Sequence, residues 1–349
     1  TRIDDAKPKL ILSASCGIEV NRVIPYKPLL DKAIELANHK PDRCLILQRP
    51  QEEAPLDPNR DRDWRTALSK ARPADCVPVD ATDPLYILYT SGTTGLPKGA
   101  QLTNANFRAL FSVVEWQMDD DSVNMAVMPL FHIAGSGWAL FGMGCGARTI
   151  MTREFDPVGA LQLIESEAIT HAIFVPAILQ FFLMVPSEGI DLSSIDLIVY
   201  GASPITQDVL VKAMEMFGCQ FMQVYGLTET TGAVTQLDPE DHDPGGPKEN
   251  LLRSAGKPIA SVELKIVDTD TGATLPDGEV GEVWIRSLQN MKGYWNMPEE
   301  TASSMPGDGW FRSGDAAYME DGYLYIHDRV KDMIISGGEN VYPAAAENA

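Results

Sequence analysis

Apolar positions fall along the chain as short continuous runs that alternate with one-sided periodic stretches. Lys9-Leu-Ile-Leu-Ser13 and Cys44-Leu-Ile-Leu47 read as buried strands. Between them Leu29, Leu30, Ala33, Ile34 and Ala37 share one face of a helix over 27–38, so the chain opens as a βαβ unit in a parallel sheet. A proline- and charge-rich run over 49–73 reads as a surface crossover with a short helix at 63–71. The alternation resumes with a strand over 84–89, a glycine-rich turn over 90–99 and a helix over 104–116. Strands follow at 125–128, 172–175, 197–200 and 220–225, with helices at 137–143, 156–167, 177–184 and 206–217. Beyond Pro258 the pattern changes to alternating strands at 263–268, 279–286 and 322–327, separated by Gly- and Asp-rich turns. The prediction is an α/β fold of helix-covered, mostly parallel sheets with a small β-barrel-like subdomain. Its parts are a partial α/β subdomain over 1–79, a larger α/β subdomain over 80–257, a β-rich subdomain over 258–327 and a last segment over 328–349.

Composition narrows the partners. The 349 residues include 49 acidic and 28 basic side chains, a formal charge of −21 that repels phosphate backbones and anionic headgroups and argues against nucleic acid or a membrane surface. The five cysteines form no CxxC pair, which points to a reducing, cytoplasmic location. Residues 122–147 lack Asp, Glu, Lys and Arg, but Asn124, Pro129 and glycines at 135, 137, 142, 144 and 146 make this a buried segment, not a transmembrane one.

Candidate chemistry concentrates in Tyr89-Thr-Ser-Gly-Thr-Thr-Gly-Leu-Pro-Lys-Gly99. Gly92 and Gly95 let backbone N–H groups approach an anion, the hydroxyls of Thr90, Ser91, Thr93 and Thr94 donate hydrogen bonds, and Lys98 supplies a point charge: a phosphate cradle. It is not a Walker A loop, because Pro97 and Gly99 stand where that motif needs a glycine and a magnesium-binding hydroxyl. Composition alone also suits a plain surface turn.

The loop resembles the phosphate-binding loop of the adenylate-forming (AMP-binding) superfamily, which includes acyl-CoA synthetases, luciferases and peptide-synthetase adenylation domains. Successive motifs are similar in the same order: Met128-Pro-Leu-Phe-His-Ile-Ala-Gly135, Tyr200-Gly-Ala-Ser-Pro204, Tyr225-Gly-Leu-Thr-Glu-Thr230, Gly281-Glu-Val-Trp-Ile-Arg286, Trp310-Phe-Arg-Ser-Gly-Asp315, Asp328-Arg-Val-Lys-Asp332 and Ser336-Gly-Gly-Glu-Asn-Val-Tyr-Pro343. They span most of the chain from Asp83 onward. The resemblance implies the large N-terminal domain of that fold, with the loop on the β- and γ-phosphates of ATP, Thr228 near the α-phosphate and Glu229 on Mg2+. It places Gly201, Ala202, Ser203, Tyr225 and Gly226 around the purine, Asp315 on the ribose hydroxyls and Arg329 beside ribose and phosphate. Lys331 becomes a hinge, and Gly337, Gly338 and Glu339 lie on the CoA side. Alone, such residues are more often a core tyrosine or solvated charges. His132, by itself more often a satisfied core histidine, takes the place beside the carboxylate of the acyl substrate. Phe131-His132 disfavours amino acids, because amino-acid-activating domains carry an aspartate after the aromatic residue.

The implied activity is that of an acid–thiol ligase using ATP, Mg2+ and CoA to activate a small carboxylic acid. The acyl pocket is expected between the His132 helix and the strands ending at Tyr200 and Tyr225, with a medium or long acyl chain favoured and an aryl acid next. A peptide-synthetase-type adenylation domain and an inactive nucleotide-binding fragment are the rival readings. Full members extend further at both ends, so a truncated chain with impaired overall reaction is expected. Residues 1–95 resemble propionyl- and acetyl-CoA synthetases while 96–349 resemble medium- and long-chain ligases, which suggests a chimera joined near Ser91 to Gly95.

Overall fold

In the computed structural model the apolar runs over 171–174 and 197–201 become strands buried on both faces, whereas the run over 10–12, expected to be buried, forms a strand whose Leu10 and Leu12 are exposed. The structure describes residues 2–19, 22–90, 97–114, 116–153, 155–330, 334–336 and 339–341, with backbone alone for Glu19, Asp328, Arg329 and the stretches after 330. Two compact units divide the chain, Thr1–Val79 and Asp80–Ala349.

The smaller unit contains α1 (Arg2–Ala6), β1 (Leu10–Ala14), a hairpin of β2 (Cys16–Glu19) and β3 (Arg22–Pro25), α2 (Tyr26–Leu36), β4 (Arg43–Leu47), β5 (Asp61–Asp63) and α3 (Trp64–Lys70). Strands β1, β4 and β5 form a parallel sheet in that order. Ile34, Cys44 and Ile46 are its buried core. Asp63 caps α3 by accepting from the Thr66 N–H at 2.7 Å. Lys27 and Asp61 are sealed in, with side chains 4% and 0% exposed and paired at 2.9 Å; Arg60 Nε adds a 2.7 Å bond to Asp61.

The larger unit opens with β6 (Pro84–Tyr89), β7 (Gly99–Thr103) and α4 (Asn104–Phe111). It continues through β8 (Val123–Ala126), α5 (Ile133–Gly144), β9 (Arg148–Met151), α6 (Pro157–Glu167), β10 (His171–Phe174), α7 (Pro176–Leu183), β11 (Leu197–Gly201), α8 (Gln207–Phe217) and β12 (Gln220–Leu227). The later elements are β13 (Gly232–Leu237), β14 (Lys257–Pro258), β15 (Glu263–Val267), β16 (Gly281–Arg286), β17 (Gly293–Tyr294), α9 (Pro298–Ser304), β18 (Trp310–Glu320) and β19 (Tyr323–Arg329). A backbone pair of β20 (Ile334–Ser336) and β21 (Glu339–Val341) follows.

Seven strands make the central sheet in the order β14-β13-β12-β11-β10-β8-β9, parallel from β12 to β9 and antiparallel at the β13 and β14 edge. Alternate residues feed two cores. Leu197 and Val199 face α4 and α5, while Ile198 and Tyr200 face α6, α7 and α8, which is why this strand has no polar position. Helix α4 starts in a capping box of Thr103 and Asn106 and stops at Phe111, short of the expected 116. Val113 and Val114 turn back onto the Leu110 carbonyl, and Trp116 instead packs its ring against Phe141 and Trp138, with centroids 4.8 and 5.4 Å away.

The β-rich part is a four-stranded antiparallel sheet, β15-β16-β18-β19, bulged at Glu282/Trp284 and Ala316/Ala317. Its Val283, Ile285 and Phe311 join the same core as Trp138 and Val199. Among the described residues no helix is long and apolar enough to cross a membrane.

Candidate functional site

The parallel strands end together at a cluster of small residues. A Cβ on Gly201 would lie 2.1 Å from the Val224 carbonyl oxygen, so only glycine lets β11 approach β12 this closely. Ala202 follows with φ +68°, a left-handed backbone that is costly for a residue with a side chain. Beyond it opens a cavity of about 580 Å3 bordered by Tyr200, Ala202, Ser203, Tyr225, Gly226 and Asp315. Tyr225 donates its hydroxyl hydrogen to Asp315 Oδ2 at 2.6 Å across 90 residues of sequence, and the Asp315 backbone N–H donates to Ser313 Oγ at 3.0 Å. Arg329 pairs with Asp315 in the β18–β19 register. Tyr200 is sealed beneath, its hydroxyl bonded to His242 Nε2 at 3.0 Å, and burial pushes its pKa up.

A second cavity of about 70 Å3 adjoins the first and shares Ala202, Val224 and Gly226 with it. Its remaining wall includes His132, Ile133, Trp138 and Trp116. His132 caps α5: Nδ1 accepts from the Ala134 N–H at 3.1 Å, which leaves the proton of the neutral ring on Nε2. Burial lowers the His132 pKa and keeps the ring neutral near pH 7. The Trp116 indole Nε1, buried, has no hydrogen-bond partner among the described residues.

The charged candidates gather elsewhere. Thr90 and Lys98 close the β6–β7 hairpin, with Thr90 N–H donating to the Lys98 carbonyl at 2.9 Å. Thr228 and Glu229 lie in the single 3-10 turn after β12. Tyr294 OH donates to Glu229 Oε1 at 2.8 Å, and Lys98 Nζ stands 4.8 Å from the centroid of the same ring. Thr90, Lys98, Thr228 and Glu229 border neither cavity among the described residues.

Sequence reasoning missed Tyr294, Trp116 and the cavity-lining Arg253 and His327. The signal for Tyr294 was an aromatic residue directly after Gly293, which ends a run set against β7. Ser91, Gly92, Thr93, Thr94, Gly95, Lys331, Gly337 and Gly338 lie outside the described residues, and Arg329 and Glu339 are described by backbone alone. No group of three or more His, Cys, Asp or Glu side chains is assembled for a metal among the described residues. A single carboxylate such as Glu229 still fits Mg2+, which keeps several waters and takes one or two carboxylates together with phosphate oxygens.

Residues 1–295 match the family described as AMP-binding enzyme. The fatty acid–[acyl-carrier-protein] ligase ScoC of Streptomyces coeruleorubidus is 40% identical over 286 residues, 78% of this chain and 54% of that protein. A feruloyl-CoA synthase of an Amycolatopsis species is 37% identical over 282 residues, 78% of this chain and 55% of that protein. ATP-bound MatB of Rhodopseudomonas palustris superposes with a TM-score of 0.81 at 28% identity, over 99% of this chain and 64% of that chain. The chain spans about half the length of the curated relatives it matches.

Proposed function

The chain belongs to the AMP-binding enzyme family, and from that premise we propose that it provides the ATP- and acid-binding part of a cytoplasmic acid–thiol ligase. The observation that carries this reading is the shared wall of Ala202, Val224 and Gly226, which sets a roomy cavity with polar groups against a small apolar one. A nucleotide in the first and the apolar body of an acid in the second bring a carboxylate to the α-phosphate.

In the proposed reaction a carboxylate oxygen attacks the α-phosphorus of ATP and pyrophosphate leaves; a CoA thiolate then attacks the acyl carbon and AMP leaves. Asp315, oriented by Tyr225, accepts from the ribose hydroxyls, and Gly201, Ala202, Ser203 and Gly226 receive the purine. Arg329 serves the ribose and phosphate. The loop from Thr90 to Lys98 holds the outer phosphates with Thr228 near the α-phosphate. The His132 Nε2–H donates to the acid's carboxylate. Glu229 would hold Mg2+, which supplies neutralisation of phosphate charge. Lys331 acts as a hinge, with Gly337, Gly338 and Glu339 on the CoA side.

For the acid we propose an apolar medium- or long-chain fatty acid, supported by the apolar wall. A volume of about 70 Å3 is less than half of the ~150 Å3 apolar cavity that holds a benzene, so a long chain must open a path beyond it. The rings of Trp116 and Trp138 in its wall support an aryl acid as the second reading, and such an acid must open the same cavity. A pyrophosphate-exchange screen over fatty, aryl and amino acids, run on this chain and on a version extended to the length of its relatives, tests both. Exchange driven by an apolar acid is expected; exchange driven by amino acids alone, or none in either form, overturns the assignment.

A further inference from the structure

We propose that Tyr294 is a positioning residue that holds the Glu229 carboxylate and the Lys98 ammonium in separate, ready places, an inference that rests on the nucleotide reading above. Tyr294 is 6% exposed and belongs to a two-residue strand, β17, whose Gly293 and Tyr294 pair with Gln101 and Ala100 of β7. That strand is fastened on both sides. Trp295 N–H donates to the Gly99 carbonyl at 2.7 Å, Met291 N–H donates to the Glu229 carbonyl at 2.7 Å, and Tyr294 N–H donates to the Thr301 hydroxyl at 2.9 Å. A Cβ on Gly293 would come within 2.8 Å of the Thr301 side chain, so the backbone that carries the phenol has little room to shift.

One rigid phenol therefore reaches two chain segments that are more than a hundred residues apart. Its hydroxyl donates to Glu229 Oε1 at 2.8 Å, and its ring face lies 4.8 Å below Lys98 Nζ. An ammonium and a carboxylate this near a common side chain have an obvious alternative, a direct ion pair, in which each would neutralise the other. Lys98 and Glu229 do not pair with each other among the described residues. The cation–π contact and the neutral hydrogen bond satisfy both groups while leaving each charge for a ligand: phosphate oxygens for Lys98, a hydrated divalent cation for Glu229.

The two functions of the phenol are separable. Tyr294→Phe keeps the ring beneath Lys98 and removes the bond to Glu229; Tyr294→Leu removes both. Calorimetric titration of ATP into this chain at graded Mg2+ concentrations is the measurement, with thermal melts to establish that each variant folds. In Tyr294→Phe the Mg2+ concentration giving half-maximal enhancement of ATP binding should rise about tenfold, with ATP affinity in EDTA unchanged. In Tyr294→Leu the EDTA affinity should fall as well. In a Glu229→Gln background Tyr294→Phe should have no further effect on the Mg2+ response. A Mg2+ response unmoved in Tyr294→Phe, or equal effects of that substitution with and without Glu229, overturns the proposal while leaving the nucleotide reading intact. Failure of the unsubstituted chain to bind ATP at any Mg2+ concentration overturns both.

Discussion

Trp116 shows how much a single side chain can carry without its polar atom. Its ring packs against Trp138 and Phe141, yet its Nε1 is buried and has no hydrogen-bond partner among the described residues. A donor left this way costs about 1–3 kcal/mol, so the ring contacts must outweigh it. Trp116→Phe keeps an aromatic ring and deletes the donor, and its unfolding free energy should stay within about 1 kcal/mol of the parent by urea denaturation. Trp116→Ala should lose about 3–5 kcal/mol. A large loss on going to Phe would mean that the indole nitrogen, not the ring, is what the site retains. Asp315 is the opposite case: a carboxylate 6% exposed that keeps the Tyr225 hydroxyl as its partner.

Among the elements, β5 depends on buried charge, because Asp61, its side chain 0% exposed, pairs with Lys27 and Arg60. Burial would push Asp61 up, but hydrogen bonds from Arg60 and Lys27 outweigh it and hold its pKa at about 2. Asp61→Asn leaves the buried Lys27 with Asp31 alone, and the smaller unit should lose about 3–5 kcal/mol, seen as faster amide exchange in β4. Because the folded pKa is depressed, the carboxylate's stabilisation is fully present above pH 3.8 and fades as pH falls through 2. Exchange in β4 unaltered by Asp61→Asn would refute this.

The inner parallel strands β8, β10, β11 and β12 were legible in the sequence for the same reason that they are stable: β11, for one, has a core on each face, so Leu197, Ile198, Val199 and Tyr200 form an unbroken apolar run, while the parallel strands β5 and β9, which lack such a run, were not. Strand β18 escaped notice because its buried positions include Ser313 and Asp315 between Phe311 and Ala317, and polar residues in inward positions erase the alternation that marks a strand. Of the motif residues, Ala202, Ser203, Tyr225, Gly226 and Asp315 border one cavity. Its bonds were not legible, since Tyr225 meets Asp315 across 90 positions and Tyr294 meets Glu229 across 65.

Across the larger unit, His132, His171, His242 and His327 all have pKa values lowered by burial. Each is held neutral in the fold and takes up a proton more readily when unfolded, so stability is complete above about pH 6.5 and declines as pH falls below it. The slope is at most about 1.4 kcal/mol per pH unit for each histidine. Urea midpoints at pH 7.5, 6.5 and 5.5 should decrease in that order; a flat series would show that these rings protonate without cost. The net charge of −21 works against binding any anionic nucleotide, which makes local cations such as Lys98 and the cavity-lining Arg253 more consequential than their number suggests. The wall of Ala202, Val224 and Gly226 has its own thermodynamic consequence. On the proposed reading an acid in the small cavity and a nucleotide in the large one touch the same three residues, so any factor by which the acid alters the nucleotide's dissociation constant must equal the factor by which the nucleotide alters the acid's.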